Sequence, residues 1–154
     1  MFKEIFTIFL FSIAPISELR VAIPLGILKY DFPIWLVFII AIIGNLIPAF
    51  LILWYLETVS NFLRKRSSFF EKFFSLLFEY TRKKHYKKIE KYAIWALLIF
   101  VAIPFPFTGA WSGSLIAFVF GIEKKKALAI ISLGVLIAGI IVTFLVLAGK
   151  LILN

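Results

Sequence analysis

Glu18 and Arg20 stand two residues apart in "APISELRVAIPLG", residues 14–26, inside a run that is otherwise apolar from Ile5 to Leu28. An ionisable side chain at the centre of a membrane helix costs roughly 2.5–3.5 kcal/mol on insertion scales. Two together need a physical reason. On a helix, positions i and i+2 project about 160° apart and cannot pair, whereas in extended backbone they project the same way. The pair therefore predicts a non-helical tip over Pro15–Pro24 that includes Ser17. Such backbone survives at membrane depth only when protein or a water-filled cavity surrounds it. Glu18 is a candidate proton-titrating or cation-binding group. Arg20 is a candidate receiver for an anionic group, or the partner that holds Glu18 charged. A purely structural ion pair that satisfies the tip's backbone remains the alternative.

A second constellation lies in "PFPFTGAWSG", residues 104–113. Pro104 and Pro106 remove backbone donors and disfavour helix just before each ring. Thr108, Gly109, Trp111, Ser112 and Gly113 follow. Glycines admit close backbone approach, hydroxyls and N–H groups bind polar substrate groups, and a helix starting near Gly109 would point its positive end at an anion. A tight turn with self-satisfied hydroxyls is the competing reading. Asn45 is expected to make one interhelical hydrogen bond or to meet a tip. Pro15, Pro24 and Gly26 frame the first tip as Pro104 and Pro106 frame the second.

Other chemistry is excluded or unsupported. There is no cysteine, which removes disulfides, thiolate metal sites and thiol catalysis. The single histidine, His85, lies in "TRKKHYKK" and belongs with solvent or headgroups, because metal ligation needs several convergent donors. No hydrolase, kinase or redox motif is present, so the expectation is a non-enzyme with no cofactor and no metal.

The elements that must hold these residues follow from hydropathy. The chain is 63% hydrophobic, against roughly 45–50% for soluble domains, and the excess sits in long runs. Ile34–Leu56 and Ala127–Gly149 are uncharged, and each reaches roughly 34 Å as a helix, enough for a ~30 Å hydrocarbon core. The arms beside the second tip, Ala93–Ile103 and Ala110–Gly121, reach only about 16–18 Å. Half-length arms around a proline-rich turn predict a re-entrant hairpin. The region from Glu57 to Lys91 holds 10 of the 17 Lys and Arg, which places it on the cytoplasmic side against anionic lipid rather than on nucleic acid. Full crossings throughout would put "EKKK", Glu123–Lys126, outside. A re-entrant second hairpin puts both basic stretches inside.

The predicted organisation is one all-α integral membrane domain over 1–154, an inverted repeat of re-entrant hairpin plus transmembrane helix. Its parts are hairpin 1 (about 5–28), span 1 (about 33–56), an amphipathic basic loop (57–92), hairpin 2 (about 93–122) and span 2 (about 126–150). Within the loop, Phe69, Phe70, Phe73, Phe74, Leu76, Leu77, Phe78 and Tyr80 share one helical arc, predicting a cytoplasmic amphipathic interfacial helix. Arg64–Lys91 is the expected contact with anionic lipid. Lys3 followed by Ile5–Ala14 imitates a signal peptide, but a cut after Ala14 would leave Pro15 first, so the segment is expected to be retained. Broken helices from two inverted halves that meet near the midplane are a recurrent transporter design.

At these residues the sequence resembles the putative small multi-drug export protein family of prokaryotes, which is distantly similar to DedA and VTT-domain membrane proteins. The first motif of that family matches at Pro15, Glu18, Leu19, Arg20, Ala22, Ile23, Pro24 and Gly26. The second matches at Pro104, Pro106, Thr108, Gly109, Ala110, Trp111 and Gly113. Val21 and Phe107 stand where the family favours glycine. The resemblance implies a multi-pass transporter of the cytoplasmic (inner) membrane with two re-entrant hairpins. The resulting expectation is a small transporter of an amphipathic or lipid-like substrate, proton-coupled through Glu18. An uncoupled lipid translocase and a non-transporting scaffold are the alternatives. The small chain predicts a homo-oligomer, with a dimer the simplest case.

Overall fold

Pro15 ends the first helix. Its ring forces Ala14 into extended backbone, φ −67° and ψ 138°, and helix α1 stops at Phe2–Ile13. The computed structural model describes residues 1–66, 87–106 and 108–153. Those residues are helical, with no strand among them. The interfacial helix expected over 69–80, His85 and Phe107 lie outside the described residues.

After a turn at 14–17 the chain resumes as α2, Glu18–Pro24. The extended tip predicted over Pro15–Pro24 is therefore shorter than expected. Pro24 is tolerated because it closes α2 and forfeits a single backbone bond there. The helix then widens into a π turn, Leu25–Lys29, in which the Tyr30 N–H donates to the Leu25 carbonyl at 3.2 Å. Helix α3, Ile34–Arg66, and helices α4 (Lys87–Ala102), α5 (Ala110–Val119) and α6 (Lys124–Leu153) complete the order. The expected loop 57–92 is helical at both ends. Residues 57–66 contain no glycine or proline, so nothing stops α3 once it leaves the apolar stretch.

Among the described residues two helical stretches are long and apolar enough to cross a bilayer, Ile34–Val59 in α3 and Lys124–Ile152 in α6. They run antiparallel. Asp31, ahead of α3, lies 3.5 Å from Lys150 near the end of α6, and Glu57 lies 2.8 Å from Lys124 at its start. Both pairs are exposed and contribute about 0–1 kcal/mol each. Their value here is as markers of direction.

The helix pairings have a pattern. α1 packs on α3 as α4 packs on α6, α1 on α2 as α4 on α5, α2 on α3 as α5 on α6, and α5 on α3 as α2 on α6. Exchanging the two halves maps every pairing among the six α-helices onto another, with α3–α6 mapping onto itself, and only the π turn of the first half has no counterpart among the described residues. Equivalent glycines permit the close approaches. A Cβ on Gly44 of α3 would collide with Ser12 of α1, and a Cβ on Gly134 of α6 would lie 2.8 Å from Val101 of α4. Ile8, Ile23, Val37, Leu97, Val101, Ile131 and Val135 fill the interior between these helices. Trp35, Ile140, Phe144 and Leu145 face outward from α3 and α6, an apolar surface suited to lipid.

Candidate functional site

The two turns meet. Glu18 opens α2 with φ 45°, a left-handed conformation that glycine usually supplies. Glu18 is therefore off the regular helical backbone for which the separation of about 160° holds. This resolves the spacing problem. Arg20 is two residues further on, and its Nη2 lies 3.8 Å from Glu18 Oε2. The pair forms at the start of a helix rather than in the extended backbone predicted for it.

Glu18 is buried, with 3% of its surface exposed. Its carboxylate accepts hydrogen bonds from the backbone N–H of Trp111 and from the side-chain amide of Asn45. Trp111 is in the first turn of α5, whose N-cap residue, Gly109, has no side chain to cap it. A carboxylate from the other half of the molecule therefore caps α5, where backbone donors and the helix dipole both favour an anion. Gly109 makes room for it. Its φ of 141° is open to glycine alone, and a Cβ there would land on the Glu18 carboxylate.

The favour is returned. The Trp111 indole Nε1 donates to the carbonyl of Ile13 at 2.8 Å, satisfying an orphan acceptor at the end of α1. Each turn thus caps a helix of the other half. Thr108 adds a third link, since Arg20 Nη2 donates to Thr108 Oγ1 at 3.1 Å. The Thr108 hydroxyl lies 2.7 Å from the carbonyls of both Ile103 and Phe105 and donates to one at a time.

Of the other predicted residues, Ser17 is turned inward on its own half, its hydroxyl donating to the Phe11 carbonyl at 2.7 Å. Ser112 lies half-buried in α5 beside Trp111. Gly113 is buried against α4, where a Cβ would meet Val101 at 2.5 Å, and Gly26 is packed against Val37 of α3 in the same manner. Pro15, Pro104 and Pro106 lie in the turns and Pro24 ends α2. The structure therefore brings together Glu18, Arg20, Thr108, Gly109 and Trp111, and leaves Ser17, Gly26 and Gly113 in packing roles. Asn45 joins the group as a direct partner of Glu18, a role its polarity in an apolar span hinted at. The Ile13 carbonyl had no signal in the sequence, because every residue carries one.

Asn45 also fixes the depth. It lies about 17 Å along α3 from Ile34 by the helical rise, close to halfway to Glu57. Among the described residues no three His, Cys, Asp or Glu side chains cluster to hold a metal ion. The arrangement is a buried acid and a less buried base, at the seam between two halves, able to exchange a proton and to meet an anionic group.

Comparison with known proteins gives one match. The sequence profile of the putative small multi-drug export protein family matches residues 18–141, a stretch that contains Glu18, Arg20, Asn45, Thr108, Gly109 and Trp111. No curated protein and no solved structure matches. The comparisons lend no support to the wider likeness to DedA and VTT-domain proteins.

Proposed function

Because the chain belongs to the putative small multi-drug export protein family, a family of membrane proteins with a transporter-like role by its name, we propose that it moves a small amphipathic or lipid-like substrate across a prokaryotic cytoplasmic membrane. In this reading α1 with α2, and α4 with α5, re-enter the bilayer from opposite leaflets. The antiparallel α3 and α6, and the helix pairings that survive exchange of the halves, support that inverted repeat. The basic segment between α3 and α4 faces the cytoplasm and anionic lipid, and the chain works as a homo-oligomer without enzymatic chemistry.

One observation carries the reading. A buried carboxylate and a guanidinium lie at the contact between the two turns, halfway along a spanning helix. Glu18 takes up and releases the coupling proton, and Arg20, whose side chain is 16% exposed, receives an anionic part of the substrate. The reciprocal capping favours a second reading, in which Glu18 and Trp111 only hold the halves together.

Proteoliposomes separate the two. A proton gradient should drive substrate uptake, and Glu18→Gln should abolish that drive while leaving the fold intact by circular dichroism. Labelled phospholipid that equilibrates between leaflets without a gradient would instead indicate an uncoupled translocase. Silence in both assays would leave the scaffold.

A further inference from the structure

Asn45 is 1% exposed on α3, and its amide is divided between two situations. The amide donates to the Glu18 carboxylate. Its Oδ1 is buried and has no hydrogen-bond partner. A buried acceptor left unsatisfied is destabilising. The orphan lies on the same side chain that holds the one buried carboxylate among the described residues.

A carboxylate and a carboxylic acid ask different things of a neighbour. The ionised form only accepts, whereas the protonated form carries an O–H that must find an acceptor. The partners around Glu18 do not offer one equally. Arg20, from α2, and the Trp111 N–H, from α5, can only donate, and Arg20 is the charged group that acts on it. From α3, Asn45 carries a donor and an acceptor on one rotatable amide.

We propose that Asn45 is the second half of the proton site. It donates through Nδ2 to ionised Glu18. When the amide turns over, it accepts through Oδ1 the O–H of protonated Glu18. The balance is simple: one proton from water binds one carboxylate oxygen, no other bond is made or broken, and the site passes from zero net charge to +1. Arg20 then loses its counter-charge and is free for an anionic group. This inference rests on the proton-coupled reading above.

The test uses the full chain, labelled with ¹⁵N-asparagine in detergent micelles. Asn45 is identified by the side-chain amide signal missing from Asn45→Ser. Its signal should move in one transition that coincides with the protonated-carboxyl infrared band of Glu18, and should stay still in Glu18→Gln. Asn45→Leu should lower gradient-driven uptake roughly tenfold or more, and Asn45→Ser, which keeps a donor and an acceptor, should recover part of it. If Asn45→Leu does not fold, the spectra of the unmodified chain decide. An Asn45 signal that ignores pH while the Glu18 band titrates overturns this inference and leaves proton coupling standing. A Glu18 band that never titrates, with uptake indifferent to the gradient, overturns both.

Discussion

Replacing Gly109 by alanine should separate backbone strain from electrostatic cost at the contact between the halves. At φ 141° and ψ −162°, an L-residue is held in a region that costs about 1–3 kcal/mol. The added methyl also occupies the space of the Glu18 carboxylate, which must withdraw from the Trp111 N–H. A lost hydrogen bond to a charged group costs about 1.5–3 kcal/mol. The two together give a destabilisation of about 2.5–6 kcal/mol, a large share of a marginal stability. SDS-driven unfolding followed by far-UV circular dichroism measures it. Gly149→Ala is the control, because nothing lies within 4 Å of a Cβ there and the helix should gain about 0.5–1 kcal/mol. In a double-mutant cycle with Glu18→Ala, the strain should persist and the collision should vanish, so the two costs should fall short of additivity by about 1.5–3 kcal/mol. A Gly109→Ala chain within about 1 kcal/mol of the parent would refute the contact between Gly109 and Glu18 as described.

Further outcomes follow from the same geometry. Gly44→Ala should destabilise by about 1–3 kcal/mol in the same unfolding assay, since Ser12 must give way, and Ser12→Gly should relieve part of that cost. Thr108→Val should cost about 1–2 kcal/mol by removing the acceptor for Arg20 and the donor to the Ile103 and Phe105 carbonyls, and should slow substrate uptake. Single cysteines at Asp31 and Lys150 should label from one side of the membrane, and those at Glu57 and Lys124 from the other. A shared side for all four would defeat the antiparallel arrangement of α3 and α6 in a bilayer.

Much of the architecture was legible, and the reasons differ by element. The apolar runs Ile34–Leu56 and Ala127–Gly149 fall inside α3 and α6, because an uncharged stretch of that length has few options other than helix. Pro15, Pro104 and Pro106 fall in turns, because a missing N–H and a fixed φ act locally. The end of α3 was illegible, since polarity alone does not terminate a helix. The geometry at Glu18 was illegible for a related reason. Spacing rules assume regular backbone, and one residue at positive φ let an i, i+2 pair form beside a helix. The polarity of Asn45 in an apolar run pointed it toward a tip but not to Glu18 as its partner, and the cap on Ile13 depends on a backbone atom that no side-chain pattern marks.

With the two turns re-entering the bilayer as proposed, their contact also has an electrical consequence. In a polarised membrane a group halfway along α3 has about half of the voltage on either side of it. With Glu18 ionised, the acid and base sum to zero and the field does no work on the pair. A bound proton adds one charge, and carrying it to that depth is worth about 1.2 kcal/mol per 100 mV, half the full-span figure. In the proposed function, an interior-negative voltage therefore draws protons toward Glu18 from outside and opposes their return. A sudden acid step on one face of a planar membrane should give a brief displacement current in the native chain and none in Glu18→Gln.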